Sequence, residues 1–250
     1  MTTDHGLIGE EGPRYRPPPG EAPLIPKVMI GTSPFLGAGQ FGPRAITYRE
    51  KFYEQPRNIT RLVEYCAKRH GVRGVQALAD PVIVQALREV EHDLEVVAVV
   101  GLGPLREDVR TIDGMNLRAV LLHASLVDGR DPDDVLPLLR ELRDRFEVPV
   151  GIATHRPDAT LPRWESREGV DVYMVPLNPE GAFMGDRKRV EEILEDTDRT
   201  IIAKKVLAAG SIPPEEGIPY AAQYADAVAV GITSRDEANE TLPIAKEHFR

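Results

Sequence analysis

The sequence predicts an α/β protein that closes into a (β/α)8 TIM barrel, and three observations carry that reading. Short apolar runs alternate with amphipathic stretches from residue 27 to the end of the chain, the apolar runs number eight, and they are rich in Val and Ile. Valine- and isoleucine-rich runs without polar alternation suit parallel strands covered on both faces, and strands that alternate with helical patterns point to βαβ units. An open doubly wound sheet is the competing architecture. It should show an asymmetric switch point, and the even alternation shows none.

The first 26 residues stand apart, with Pro13, Pro17, Pro18, Pro19, Pro23 and Pro26 among them. Proline fixes φ and removes a donor, so 1–26 reads as an extended N-terminal arm and 27–250 as a single barrel domain. Strands are expected at 27–31, 73–78, 95–101, 117–123, 148–153, 170–176, 199–204 and 226–231. Helical patterns fall at 58–70, 81–91, 131–146, 186–196, 213–224 and 234–247, with weaker ones at 105–112 and 158–168. Several starts are punctuated. Asp131-Pro132-Asp133-Asp134 places a cap, a first-turn proline and two acids before Val135, and Ser234 with Glu237 fits a capping box. The segment 32–57 has no strand signal but holds Phe35, Phe41, Tyr48, Phe52 and Tyr53 with Arg44, Arg49 and Lys51. A loop this long in a compact domain is usually functional, and it reads as an aromatic lid or as packing on the rim or on a second copy of the chain.

Composition narrows the function classes. The formal net charge is −9, so a phosphate backbone is a poor partner and nucleic acid is not expected. No apolar run approaches the roughly 18 residues of a spanning helix, and the first residues lack the basic-then-apolar order of a signal peptide. Cys66 is the single cysteine, which precludes an intrachain disulfide. A cytoplasmic protein with a small-molecule substrate and no membrane partner is the expectation; homo-oligomerisation is left open.

Gly37, Gly39 and Gly42 reproduce the G-x-G-x-x-G spacing of a dinucleotide-binding turn. The context that gives the spacing meaning is missing. Five residues separate the first expected strand from Gly37, Pro43 follows the last glycine, and the next good helical pattern begins near Asn58.

In a (β/α)8 barrel the site lies at the C-terminal ends of the strands. Those ends carry Thr32 and Ser33, Asp80, Gly101 and Gly103, His123, Thr154 and His155, Asn178, Lys204 and Lys205, and Gly231, Thr233 and Ser234. Strand alternation places His123 with Leu121 and Ala119, and His155 with Ala153 and Gly151. It is read to place Lys205 inward with Ala203 and to turn Lys204 outward. Two imidazoles on neighbouring strands suit proton transfer or carbonyl polarisation, with Asp80 as the carboxylate candidate. They are not expected to hold a metal, because a third ligand is not at hand. Lys205 suits an anion anchor or a Schiff-base nucleophile. Gly210, Gly231, Thr233 and Ser234 fit a phosphate cradle after strands 7 and 8, and Thr32, Ser33 and Asn178 complete the set of binding candidates.

Three stretches together resemble the aldo-keto reductase barrel: Leu121-Leu122-His123, Ile202 through Gly210, and Val230-Gly231-Ile232-Thr233-Ser234 through Glu240-Thr241. The resemblance implies an oxidoreductase with an NADP cofactor lying along strands 7 and 8, and a Tyr, Lys, Asp and His tetrad. The departures bear directly on function. The strand-2 end reads Leu78-Ala79-Asp80-Pro81-Val82-Ile83 with no tyrosine, and the strand-3 end reads Val99-Val100-Gly101-Leu102-Gly103 with no lysine. Ala153-Thr154 and Met174 stand where the family holds the nicotinamide amide, and Asp236 stands where an arginine often meets the adenosine phosphate. Only His123 remains of the tetrad, with Asp80 a distant counterpart. The sequence thus predicts a divergent member of that barrel type acting on a small anionic, carbonyl-containing, sometimes phosphorylated metabolite through His and Lys chemistry. The alternatives are an NADP-dependent oxidoreductase with Tyr48 or Tyr53 as a rearranged proton donor, and a ligand-binding barrel without catalysis.

Overall fold

The computed structural model describes residues 25–250, and of the N-terminal arm predicted at 1–26 all but two residues lie outside that range. Eight parallel strands close in sequence order: β1 (Val28–Gly31), β2 (Gly74–Leu78), β3 (Glu95–Val100), β4 (Leu117–Leu122), β5 (Val150–Ala153), β6 (Val172–Pro176), β7 (Thr200–Lys204) and β8 (Ala227–Gly231). The ring closes through pairing of Gly31 with Gly231. All eight predicted strands are present, most beginning one or two residues later than their apolar runs. The strand starts are trimmed by side chains that compete for backbone donors. Asp171 Oδ2 accepts the Val150 N–H, and Asp226 Oδ2 accepts the Ile201 N–H, each at 2.8 Å.

The helices are α1 (Arg44–Tyr48), α2 (Arg57–His70), α3 (Pro81–Arg88), α4 (Leu105–Ile112), α5 (Ala124–Val127), α6 (Pro132–Phe146), α7 (Pro157–Trp164), α8 (Arg187–Asp196), α9 (Pro214–Ala221) and α10 (Arg235–His248). The caps work as their sequence suggests: Asp131 accepts from Asp133 N, and Ser234 accepts from Glu237 N. Short α1 and α5 were not anticipated, because four or five residues are too few to show a 3.6-residue period.

Two apolar layers follow from the alternation along each strand. Met29, Leu78, Val97, Val99, Ala119, Leu121, Ala153, Val172, Met174, Ile202, Ala227 and Ala229 fill the barrel interior. The opposite faces, with Val75, Val96, Val120, Tyr173 and Ala203 among them, pack against the helices, where Cys66 and Trp164 are buried too. Glycine at 151 is required by space. A Cβ there would lie 2.0 Å from the Val172 carbonyl oxygen, so β5 and β6 could not keep their register with any larger residue.

The segment after β1 folds over the top of the barrel as short helical turns, at Ser33–Leu36 and Gly39–Phe41, then α1 and a π turn at Arg49–Tyr53. Phe35 and Phe52 are buried against each other with ring centroids 4.8 Å apart, and Phe41 meets Tyr48 at 5.3 Å. The G-x-G-x-x-G glycines lie within these turns, separated from both the strand and the first long helix.

Candidate active site

The top of the barrel holds a cavity of about 680 Å³ lined by residues of the barrel interior, the lid, the β7 loop and α10. Leu78, Val99, Ala153, Met174 and Ala229 form apolar walls, and Gln76, His123, His155, Lys204 and Lys205 bring polar atoms to it. The two imidazoles meet edge to face with centroids 5.3 Å apart, as their places on β4 and β5 predict. Both are carried by the inward faces that end in Leu121 and Ala153.

Both lysines reach the cavity, where only Lys205 was expected. Ile202 belongs to the barrel interior and Ala203 to the helix side, so Lys204 projects inward and the reading of Lys204 as outward-facing is corrected. Ile201-Ile202-Ala203 offers no polar residue to mark the faces, so alternation alone left the phase of the strand undecided. Lys205 leaves the strand in a left-handed conformation, φ +55°, which carries its ammonium to the rim, 4.4 Å from the Phe183 ring centroid. Four of the five non-glycine residues with positive φ among the described residues, Phe183, Lys205, Ala208 and Ala209, belong to the β6 and β7 loops at this mouth. Each costs of the order of 1 kcal/mol, and such strain gathers where a site holds its shape against local preference.

Burial and like charge set the protonation of the cluster. Burial, reinforced by the neighbouring Lys205, lowers Lys204 to about 7. Burial also lowers Lys205. His123 is lowered to about 4 and His155 to about 3, in both cases by burial first and then by the Lys204 charge. Near neutral pH the imidazoles are therefore uncharged, and a large share of Lys204 is free amine. Ser125 donates its hydroxyl proton to Gly101 O at 2.6 Å, and its Oγ lies 3.0 Å from His123 Nδ1. Ser125 N–H reaches the same nitrogen at 3.2 Å, so this residue pins the ring with Nε2 left for the cavity.

Asp128, which sequence reading passed over, organises the strand-5 end. Thr154 Oγ1 donates to its Oδ1 at 2.5 Å, Thr160 Oγ1 to the same oxygen at 2.8 Å, and His155 N to Oδ2 at 2.9 Å. Its negative charge opposes the lowering of Lys204, His123 and His155. Asp108 does similar work after β3, accepting from Gly101 N at 2.7 Å and Gly103 N at 3.3 Å. Asp108 lies in the first turn of α4 and Asp128 directly after α5, and no local pattern reveals which backbone donors they reach. Gln76 was also missed, although it carried a signal: a polar residue at an inward position of an otherwise apolar strand.

Other candidates lie elsewhere or are already engaged. Asp80 is outside the cavity lining, capping α3 through Val82 N and Ile83 N while its other oxygen accepts from Tyr53 OH at 3.2 Å. Thr32 is buried, its hydroxyl taken by Leu78 N at 3.0 Å. Asn178 closes the loop after β6, bonding Ala182 O at 2.8 Å and Ala182 N at 2.9 Å, and it does not line the cavity. Ser33, Gly210, Gly231 and Thr233 do line it. Thr233, however, gives both its N–H and its hydroxyl to the Glu237 carboxylate at 2.7 Å, and the Ser234 hydroxyl is spent on the α10 cap.

Those contacts bear on a nicotinamide dinucleotide, the cofactor this barrel type implies. The turn and helix end that would meet its phosphates present the carboxylate of Glu237, with Glu240 beside it on the cavity wall. Lys51 is bonded to Thr233 O at 2.7 Å, and Arg44 on the opposing side donates from one of its nitrogens to Ala209 O. The wall at Ala153 and Met174 carries no donor for a carboxamide. These residues do not fit the cofactor. Among the described residues no group of three His, Cys, Asp or Glu side chains is placed to hold a metal ion. No helix among them is long and apolar enough to cross a membrane.

No family model and no curated protein matches the chain. Solved structures do. PA4992 of Pseudomonas aeruginosa, assigned as an aldo-keto reductase, superposes with a TM-score of 0.63 at 20% identity, over 94% of this chain and 96% of that one. The aldo-keto reductase AKR11C1 of Bacillus halodurans gives 0.59 at 13% identity over 91% and 88%. The glycerol dehydrogenase AKR11B4 of Gluconobacter oxydans gives 0.53 at 15% identity over 79% and 64%. Together with the closed eight-stranded ring, these likenesses establish the fold: the chain is an aldo-keto-reductase-like (β/α)8 barrel.

Proposed function

We propose that the protein is an enzyme that forms an imine between Lys204 and a small carbonyl compound bearing an anionic group. The observation that carries this reading is the inward Lys204 amine, held in the same cavity as two uncharged imidazoles. A lysine becomes a nucleophile at neutral pH when burial and a neighbouring cation strip its proton, and both act on Lys204. Its Nζ lone pair would attack the carbonyl carbon, and the C–O π pair would collect on oxygen and take a proton. That proton comes from Nζ, which carries one in excess once the C–N bond forms; a second, from solvent at the cavity mouth, lets the oxygen leave as water, and the nitrogen lone pair closes the iminium. His123 and His155, neutral at the cavity wall, would hydrogen-bond the carbonyl oxygen and accept a proton from the carbon beside the iminium, whose C=N bond draws in the electron pair. That places the reaction among lyases and isomerases. Lys205 and Arg44 would meet the anionic end, phosphate included, at the rim.

Cyanoborohydride trapping with a panel of small 2-oxo acids, aldehydes and ketones tests the reading. A mass increment on the peptide containing Lys204, lost in Lys204→Met and kept in Lys205→Met, is the expected result. An unmodified peptide across the panel removes the imine.

A second reading, an oxidoreductase, draws on Tyr48, whose ring lines the cavity as a phenolic proton donor could, and on the reductase names borne by the similar structures. NADPH fluorescence separates the two: saturable binding below millimolar cofactor favours the oxidoreductase, and none favours the imine.

A further inference from the structure

Gln76 poses a separate question. It lies on the inward face of β2, two residues before Leu78, and is only 5% exposed. Its side chain lines the cavity, yet its buried Nε2 has no hydrogen-bond partner. An amide left this way costs about 1–3 kcal/mol, and buried amides are almost always satisfied by protein, water or ligand. Strands of the same ring could have placed another Val or Ala at this position, as β3 places Val97 in register with it.

We infer that Gln76 is a specificity residue for the ligand of this cavity, recognising a neutral oxygen, a hydroxyl or second carbonyl, on the carbon next to the reacting carbonyl. The inference rests on the imine reading for the position of that carbonyl, but the recognition can be tested without it. Neutrality follows from the surroundings. Leu78, Val99, Met174 and Ala229 line the same cavity, and with Lys204 given to the imine one amide could not by itself repay the desolvation of a carboxylate there. A hydroxyl needs one donor and one acceptor, which a carboxamide supplies together. The charged end of the substrate is thereby directed to the rim, towards Lys205 and Arg44, and the substrate class becomes a hydroxy-carbonyl compound with its anionic group distal to the hydroxyl.

Hydroxyacetone and butanone form a matched pair, a hydroxyl replacing a methyl on the carbon beside the carbonyl. Trapping at Lys204 is compared for the two in the native protein and in Gln76→Leu. Calorimetric titration of both ligands into Lys204→Met, with Gln76 intact or replaced, measures recognition with no covalent step. The native protein should favour hydroxyacetone by about tenfold, the worth of one hydrogen bond plus its penalty when unmade, and Gln76→Leu should erase the preference. Trapping of both ligands with the preference unchanged in Gln76→Leu overturns the inference and leaves the imine standing. Absence of trapping, with a hydroxyl preference in the titrations that Gln76→Leu abolishes, removes the imine and keeps the inference. Absence of trapping and of any hydroxyl preference removes both. Circular dichroism of Gln76→Leu, an apolar replacement of similar volume, identifies a variant that loses the preference by unfolding; in that case Gln76→Met supplies the comparison.

Discussion

At the bottom of the barrel, several charged side chains are engaged by opposite charge or by the backbone. Asp171 and Asp226 take the N–H groups of Val150 and Ile201. Arg145 and Asp113 meet at 2.6 Å with side chains 15% and 16% exposed. Arg199 donates to the carbonyls of Val170 at 2.6 Å and Arg167 at 2.8 Å. At the top, two lysines and two imidazoles share a cavity, while Asp128 is occupied with two hydroxyls and a backbone N–H and Glu237 with the Thr233 donors. The bottom is built for stability. The top holds basic groups together, away from solvent and with their protons disfavoured, at a cost in stability, and such a cost persists in natural proteins mainly where function needs it.

One substitution at each end should separate the two roles. Lys204→Met should abolish trapping outright while raising stability by about 1 kcal/mol, since it removes a buried amine that opposes folding. Asp113→Ala should do the reverse. It strips the partner from a well-ordered ion pair and should cost about 2–3 kcal/mol in urea unfolding, with trapping at Lys204 unchanged. If Lys204→Met destabilised the protein and Asp113→Ala did not, the contrast between the ends would be wrong.

The fold was far more legible in the sequence than the site. All eight strands were readable because Val- and Ile-rich runs such as 95–101 and 117–123 need no tertiary information to stand out. The two histidines could be placed because each follows a strand whose inward face is marked by its neighbours. Lys204 was misplaced because β7 is apolar on both faces, and one step of phase reverses every side chain. Asp128 and Glu237 were invisible for another reason. Asp128 acts on residues 26 and 32 positions away, and Glu237 looks like an ordinary capping residue until its carboxylate is seen to occupy the Thr233 donors.

The pH dependence of stability gives a smaller effect with a defined sign. His123 and His155 titrate near 4 and 3 in the folded protein, against an ordinary 6.5. Below about pH 6.5 the unfolded chain takes up protons that the folded chain refuses, so stability falls as pH drops from there towards 4. His155→Asn should flatten that slope in denaturant titrations. Asp226→Asn, at the paired end, should leave the slope between pH 6.5 and 5 as it was.

Backbone strain offers the finest comparison, because both ends contain it. Ala209 at the mouth has φ +60°, and Glu147, capping α6 at the bottom, has φ +53°. Glycine relieves the steric penalty of the left-handed region but adds freedom to the unfolded chain, and the balance at such positions favours glycine by roughly 0.5–1 kcal/mol. Ala209→Gly and Glu147→Gly should therefore both raise stability by a similar, small amount. Only Ala209 carries a carbonyl bound by Arg44, which pins the lid to the β7 loop. A more mobile residue there should weaken the apparent affinity for an anionic carbonyl compound a few-fold in trapping experiments, while Glu147→Gly leaves it unchanged. Equal stability gains with unequal affinities would show that the strained loop serves the cavity; equal affinities would show that its conformation is incidental to the site.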